Sequence, residues 1–349
     1  MTGSRARSVL PSIPGDATAL VNLRPQTVSR EVTMLSWRDA HRVANLAASQ
    51  AHGRLRVDLT GTRVDVLQAI HEAGIEVMWR PMPSLFGAYL NEAGSTRGIL
   101  LNSGLPRGAR RHTAAHELGH AWLEHSTSVD DGSTIDTVAD DEVAAVAPAR
   151  RRRAWPDQEK TAEAFAAWFL MPRRVVSAAL AVLDLTRPRS AEDVYRLSLL
   201  LGTSYRSTLR HLPNLRLASR ATCATWASTA PGSIKMRLDS GAPRPDTRRP
   251  EVWVLGERFD GRVIDLEPGD RLVVEHDASM AMHAPDWLHL IAQTAAAAPG
   301  TSMTSFFEVG PNAGGRTGTL ECPGAGAVGW AVRLAAAPAP LGLDPRGPA

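Results

Sequence analysis

Residues 112–125 read H-T-A-A-H-E-L-G-H-A-W-L-E-H, and no other stretch limits the fold and chemistry of this chain so strongly. An α-helix turns once in 3.6 residues, so side chains at i and i+4 stand above one another on one face. On a helix, His116 and His120 therefore offer two imidazoles to a single cation. Glu117 stands roughly 100° further round, beside such a cation and placed to act on water. Ala114, Ala115, Leu118, Ala121 and Trp122 supply the face expected to meet a core. Gly119 costs about 1 kcal/mol in a helix interior relative to alanine, so a close neighbour is expected there.

A second helical pattern begins at Asp157, in D-Q-E-K-T-A-E-A-F-A-A-W-F-L-M-P. Ala162, Phe165, Ala166, Phe169 and Leu170 form its apolar stripe, and Pro172 ends it. Glu159 and Glu163 are four apart and share a face, an arrangement that is mildly repulsive on an isolated helix. A cation beside them removes that penalty; by itself this face reads as solvated, and with the upstream histidine motif Glu159 becomes the candidate third ligand. Two imidazoles and one carboxylate give Zn2+ a tetrahedral site with one position open for water. The expectation is one zinc per chain on His116, His120 and Glu159, with Glu117 as general base. Glu163 is expected to hold a ligand histidine in the right tautomer.

The remaining chain divides by composition. Residues 1–33 lack any period and read as a flexible tail. Helices are expected near 37–50 and 63–73, then strands at 75–79, 87–90 and 98–102, so a small sheet precedes the histidine helix. Gly98, Ile99, Leu100, Leu101 and Asn102 are the expected edge strand, along which extended substrate would add a further strand. Residues 126–156, acidic and then basic, read as an exposed charged insertion. Residues 190–217 have a helix–Gly–helix pattern like a helix-turn-helix. Only Arg206 and Arg210 lie on its second helix, which favours plain packing over DNA contact. Residues 218–250 read as a linker with one strand at 234–238. Residues 251–335 hold seven short strands suggesting a β-sandwich, and residues 336–349 form a tail.

Composition excludes several classes. A formal charge of +3 does not mark a nucleic-acid binder, although a pI near 9.2 leaves direct DNA binding open. Cys223 and Cys322 cannot form a disulfide framework. No apolar run reaches the length of a membrane span, and no signal-peptide stretch follows Arg5 and Arg7. The expected location is cytoplasmic, with no membrane partner.

R-H-T-A-A-H-E-L-G-H-A-W-L, followed by E-K-T-A-E-A-F-A-A-W-F-L-M-P, resembles the ImmA/IrrE family of bacterial zinc metallopeptidases. G-I-L-L-N at residues 98–102 is similar to the strand that this family places before its active-site helix. The resemblance covers about residues 36–215. It implies an α+β, zincin-like peptidase domain over residues 34–217, zinc on His116, His120 and Glu159, and Glu117 as catalytic base. It also implies a protein substrate, a helix-turn-helix repressor. His112 and Glu163 depart from the family pattern, which has Phe and Asn or Asp there. The rival readings are a DNA-binding regulator or an interaction protein in which zinc is structural. Salt-dependent DNA binding that survives loss of Glu117 would mark the first. Capture of a partner by residues 251–335 alone would mark the second.

Overall fold

Ser36 caps the first helix, α1 (Trp37–Arg54), by accepting from the Asp39 amide. Its buried stripe is Ala40, Ala44, Ala47, Ala48 and Ala51, small enough for another helix to lie close. Asp65 caps α2 (Val66–Glu72), and Gly74, at φ 67°, turns the chain into β1 (Glu76–Arg80). β2 (Gly87–Leu90), β3 (Gly98–Asn102), the histidine helix α3 (Arg107–Trp122) and a three-residue strand β4 (Ser128–Asp130) follow. Then come α4 (Asp157–Leu170), α5 (Arg173–Val182), α6 (Ala191–Leu201), α7 (Tyr205–His211), α8 (Arg220–Ala227) and α9 (Pro231–Leu238). The C-terminal strands are β5 (Val252–Leu255), β6 (Val263–Leu266), β7 (Arg271–Asp277), β8 (Leu288–Ala295), β9 (Ser302–Val309), β10 (Thr317–Cys322), β11 (Trp330–Ala336) and β12 (Gly342–Leu343).

The computed structural model describes residues 34–91, 96–125, 128–130, 155–245, 250–277, 282–295, 302–322, 329–337 and 339–345. The expected flexible tail at 1–33 and most of the charged insertion lie outside these residues. Among the described residues the fold is mixed α+β, with three small sheets. No single helix there is long and apolar enough to cross a membrane.

The first sheet has the order β12-β1-β3-β2-β4. β1 and β3 run parallel, with Glu76 opposite Gly98 and Arg80 opposite Asn102. β2 is antiparallel to β3, and β4 is antiparallel to β2. Val77, Trp79, Ile99 and Leu101 are buried in one core with Leu118, Phe165 and Phe169. α1, α3 and α4 pack together beside that sheet.

Several expectations are corrected. β3 is not an edge strand, because β1 and β2 flank it and leave no unpaired backbone groups for a substrate. The Asn102 side chain is spent on the 82–85 loop: it accepts from the Met82 and Gly104 amides and donates to the Met82 and Leu85 carbonyls. Residues 218–250 are not a plain linker. Ser219 caps α8 and Pro231 sits in the first turn of α9, so the polar punctuation there starts helices, and the strand expected at 234–238 is helical. Part of the insertion is a strand, β4. The tail is no tail either: β12 pairs antiparallel with β1, and Trp79 Nε1 donates to Asp344 Oδ2 at 3.2 Å.

The seven expected C-terminal strands are all present as β5–β11. They form two sheets, β10-β11-β6 and β5-β7-β9-β8, each with a parallel pair. β5 and β7 pair while β6, between them in sequence, belongs to the other sheet. The chain therefore crosses between sheets at β6, while β8–β9 and β10–β11 pair antiparallel with their sequence neighbours. The helix–Gly–helix segment also packs inward. Tyr205, Ser207, Thr208, Leu209 and His211 of α7 are buried, which leaves Arg206 and Arg210 on its outward side.

The C-terminal strands dock on the start of α3. Arg107 donates to the Asp265 carbonyl and pairs with Asp270 at 2.9 Å, and Arg110 pairs with Glu267. Tyr195 of α6 donates to Glu251 at 2.7 Å and accepts from the Val252 amide at 2.9 Å. Buried charge held by several partners at once fixes one register of docking.

Candidate metal centre

Two helices build the centre because two small residues let them touch. A Cβ on Gly119 of α3 would sit 3.0 Å from the Phe165 ring and 3.3 Å from Ala162 Cα on α4. The close neighbour expected at Gly119 is therefore Phe165. At that spacing, one face of α3 presents His116 and His120 to Glu159 in the first turn of α4. His116 Nε2 and His120 Nε2 are 3.0 Å apart, and Glu159 Oε2 lies 3.2 Å from the first and 3.5 Å from the second. Both imidazoles are fully buried.

These separations suit a metal. Zinc bonds of about 2.0–2.2 Å set neighbouring tetrahedral donors about 3.3–3.6 Å apart, close to the triangle seen here. Among the described residues, His116, His120 and Glu159 are the group whose donor atoms converge in this way, all within 4.8 Å of one another. The charge states suit it too. Burial lowers His120 from its ordinary value, keeping the imidazole neutral. Burial opposes the charge on Glu159, but hydrogen bonds from His116 and His120 prevail and hold its carboxyl far below the usual range. A neutral imidazole and an ionised carboxylate are the forms that bind a cation.

Glu117 is also fully buried. β2 passes directly over it, and a Cβ on Gly87 would lie 3.2 Å from Glu117 Oε1 and 2.6 Å from Thr113 Cγ2. Only glycine fits there. β2, not β3, is thus the strand laid against the candidate base, and its outer edge is paired by β4 with Gly87 opposite Asp130.

Behind the triangle stand three side chains that orient it. Glu163 Oε2 lies 3.6 Å from His116 Nδ1 and 2.7 Å from His112 Nε2. Burial works against its charge, yet His112 and His116 hold its carboxyl well below the ordinary range. His125 Nδ1 is 3.0 Å from His120 Nδ1, and burial, with His120 beside it, lowers His125 to about 4. His112 was not among the expected site residues, and His125 was considered only as a possible oxyanion donor, beside Tyr205 and His211. The signal for His112 was available: 112, 116 and 120 form one i, i+4 row. His125 follows the helix end, where periodicity says nothing. Tyr205 and His211, which could have served as oxyanion donors, are engaged elsewhere. Tyr205 donates to the Trp226 carbonyl at 2.7 Å, and His211 lies edge-on to Trp168 with centroids 4.6 Å apart.

A family model described as Peptidase_M78, IrrE N-terminal-like domain, matches residues 70–199. That span runs from α2 through α6 and contains every residue of the triangle and the histidine and glutamate side chains behind it. This domain belongs to the ImmA/IrrE family. No curated protein matches the chain. The IrrE-like domain is a zinc-metallopeptidase-like domain, which supports a peptidase role. α1, α7–α9 and all the C-terminal strands lie outside the matched span, although α1 packs directly on α4.

Proposed function

We propose that the IrrE-like domain is a zinc-dependent endopeptidase. The observation that carries this is the triangle of His116, His120 and Glu159, with edges of 3.0, 3.2 and 3.5 Å, beside the buried carboxylate of Glu117. When bound, zinc supplies Lewis acidity toward a carbonyl oxygen and makes water a better nucleophile near neutral pH. Glu117 takes the proton of the attacking water and passes it to the departing amine, so the peptide bond breaks with its proton balance closed. The substrate class in this reading is a regulatory protein of the helix-turn-helix repressor type, which rests on the family likeness alone.

Elemental analysis of the purified chain should give one zinc. Cleavage of a repressor-type substrate should stop on chelation and return with added zinc. A protein that takes up no zinc after reconstitution would sink the peptidase reading.

Extended substrate in this reading lies along β2, taking the place of β4, because β2 passes over Glu117 and β3 is enclosed. Val129→Pro places a residue without an N–H and with a fixed φ in the middle of the three-residue strand β4, which weakens its pairing with β2. A loss of about 1 kcal/mol of pairing corresponds to a roughly fivefold higher kcat/KM on a peptide substrate. An unchanged or lower kcat/KM, with zinc retained, would place the substrate elsewhere.

A further inference from the structure

His116 uses one ring nitrogen in the triangle and turns the other toward α4. Its Nδ1 is 3.6 Å from Glu163 Oε2, and the same oxygen lies 2.7 Å from Nε2 of His112, one turn earlier on α3. His112 is 1% exposed. Its Nδ1 in turn meets Ser207 Oγ of α7 at 3.4 Å. Four side chains from three helices thus form one row that ends on a metal-facing imidazole.

We propose that His112 is a positioning residue of the metal centre, acting on His116 through Glu163; this rests on the zinc reading above. One assignment of hydrogens links the whole row: with Ser207 Oγ–H donating to His112 Nδ1, the proton that faces Glu163 sits on His112 Nε2. That N–H donates to Glu163 Oε2 and pins this oxygen 3.6 Å from His116 Nδ1, where its charge favours a proton on that nitrogen. A proton of His116 on Nδ1 leaves its Nε2, which hydrogen-bonds Glu159 in the metal-free centre, able to present a lone pair to zinc instead. A carboxylate that orients a ligand imidazole is a common device, but a buried one must itself be held. Glu163 keeps only a long 3.6 Å contact to His116, so His112 supplies the short bond that fixes its angle. A residue that merely filled the space would need no nitrogen at this position.

The test compares the full-length parent with His112→Phe, His112→Gln, Glu163→Gln and the double variant His112→Phe/Glu163→Gln. Zinc affinity is measured by competition with a chromophoric chelator. The visible spectrum of the Co2+-loaded protein reports ligand geometry, and melting of the metal-free protein reports folding separately. His112→Phe should weaken zinc binding about 10–100-fold and alter the Co2+ bands. His112→Gln, whose amide can donate to the same carboxylate oxygen, should stay within a few-fold of the parent and keep its bands. In the double variant the loss should be no larger than in Glu163→Gln alone, because the two residues act in series. Parent-like zinc affinity in folded His112→Phe overturns the proposal while leaving the zinc reading intact. So does a loss in His112→Gln as large as that in Glu163→Gln, a comparison that stands even where His112→Phe does not fold. A parent that binds no zinc removes both readings at once.

Discussion

Glu117→Gln should lower peptide-bond cleavage by about 10²–10⁴-fold, the usual share of general acid–base catalysis, while zinc stays bound. The amide keeps the shape of the carboxylate but cannot accept a proton at neutral pH. Shape matters here, because Glu117 is fully buried beneath Gly87 and Thr113 and leaves no room for a larger group. The substitution also removes a buried charge, so melting temperature should hold or rise. Single-turnover rates on a fixed substrate, read beside zinc content and melting, separate these effects. A parent-like rate with zinc bound would show that Glu117 is not the base. A loss of zinc along with the rate would make it a ligand instead.

The candidate catalytic row was legible because it is a local pattern. His116, Glu117 and His120 sit within five residues, and helical periodicity alone gives their faces. Glu159 is forty-three positions from His116 in sequence, and the Glu159–Glu163 pair pointed to it only when read together with the upstream histidine motif. Sheet order was not legible, because a strand's alternation tells which side is buried and not which neighbours it has. That is why β3 was expected at an edge and lies inside, between β1 and β2. Short elements were also lost. β12 is two residues long and becomes a strand only because β1 is there to pair with it, across a separation that local propensity does not sense. α8 and α9 were hidden by the Ser and Pro residues that cap or start them, since the same residues mark loops.

The strands beyond residue 250 also bear on the active helix. α3 starts after Pro106 with no side-chain cap, and its first turn carries Arg107 and Arg110, cations at the end where the helix dipole favours anions. Glu267 and Asp270 answer those charges from the C-terminal sheets, and Asp265 pairs with Arg63 beside them. Burial pushes the Asp270 carboxyl up to about 6 despite Arg107. The helix that carries His116 and His120 is therefore completed electrostatically by a part of the chain outside the matched family domain.

Glu159→Ala should be the variant that empties the centre. A four-ligand zinc site is worth about 10–16 kcal/mol, so losing one protein ligand of three costs on the order of 3 kcal/mol or more, a fall in zinc affinity of at least about 100-fold. Cleavage should fall with it at limiting zinc and recover in part at high zinc, unlike Glu117→Gln, which no zinc concentration rescues. The carboxylate is the charged member of the triangle, and His116 and His120 hold it below the usual carboxylate range. Chelator competition on parent and variant reads the affinity, and rates at a series of zinc concentrations read the rescue. Retention of parent-like affinity in Glu159→Ala would mean that another group closes the triangle. His125, already 3.0 Å from the far nitrogen of His120, would be the first to substitute next.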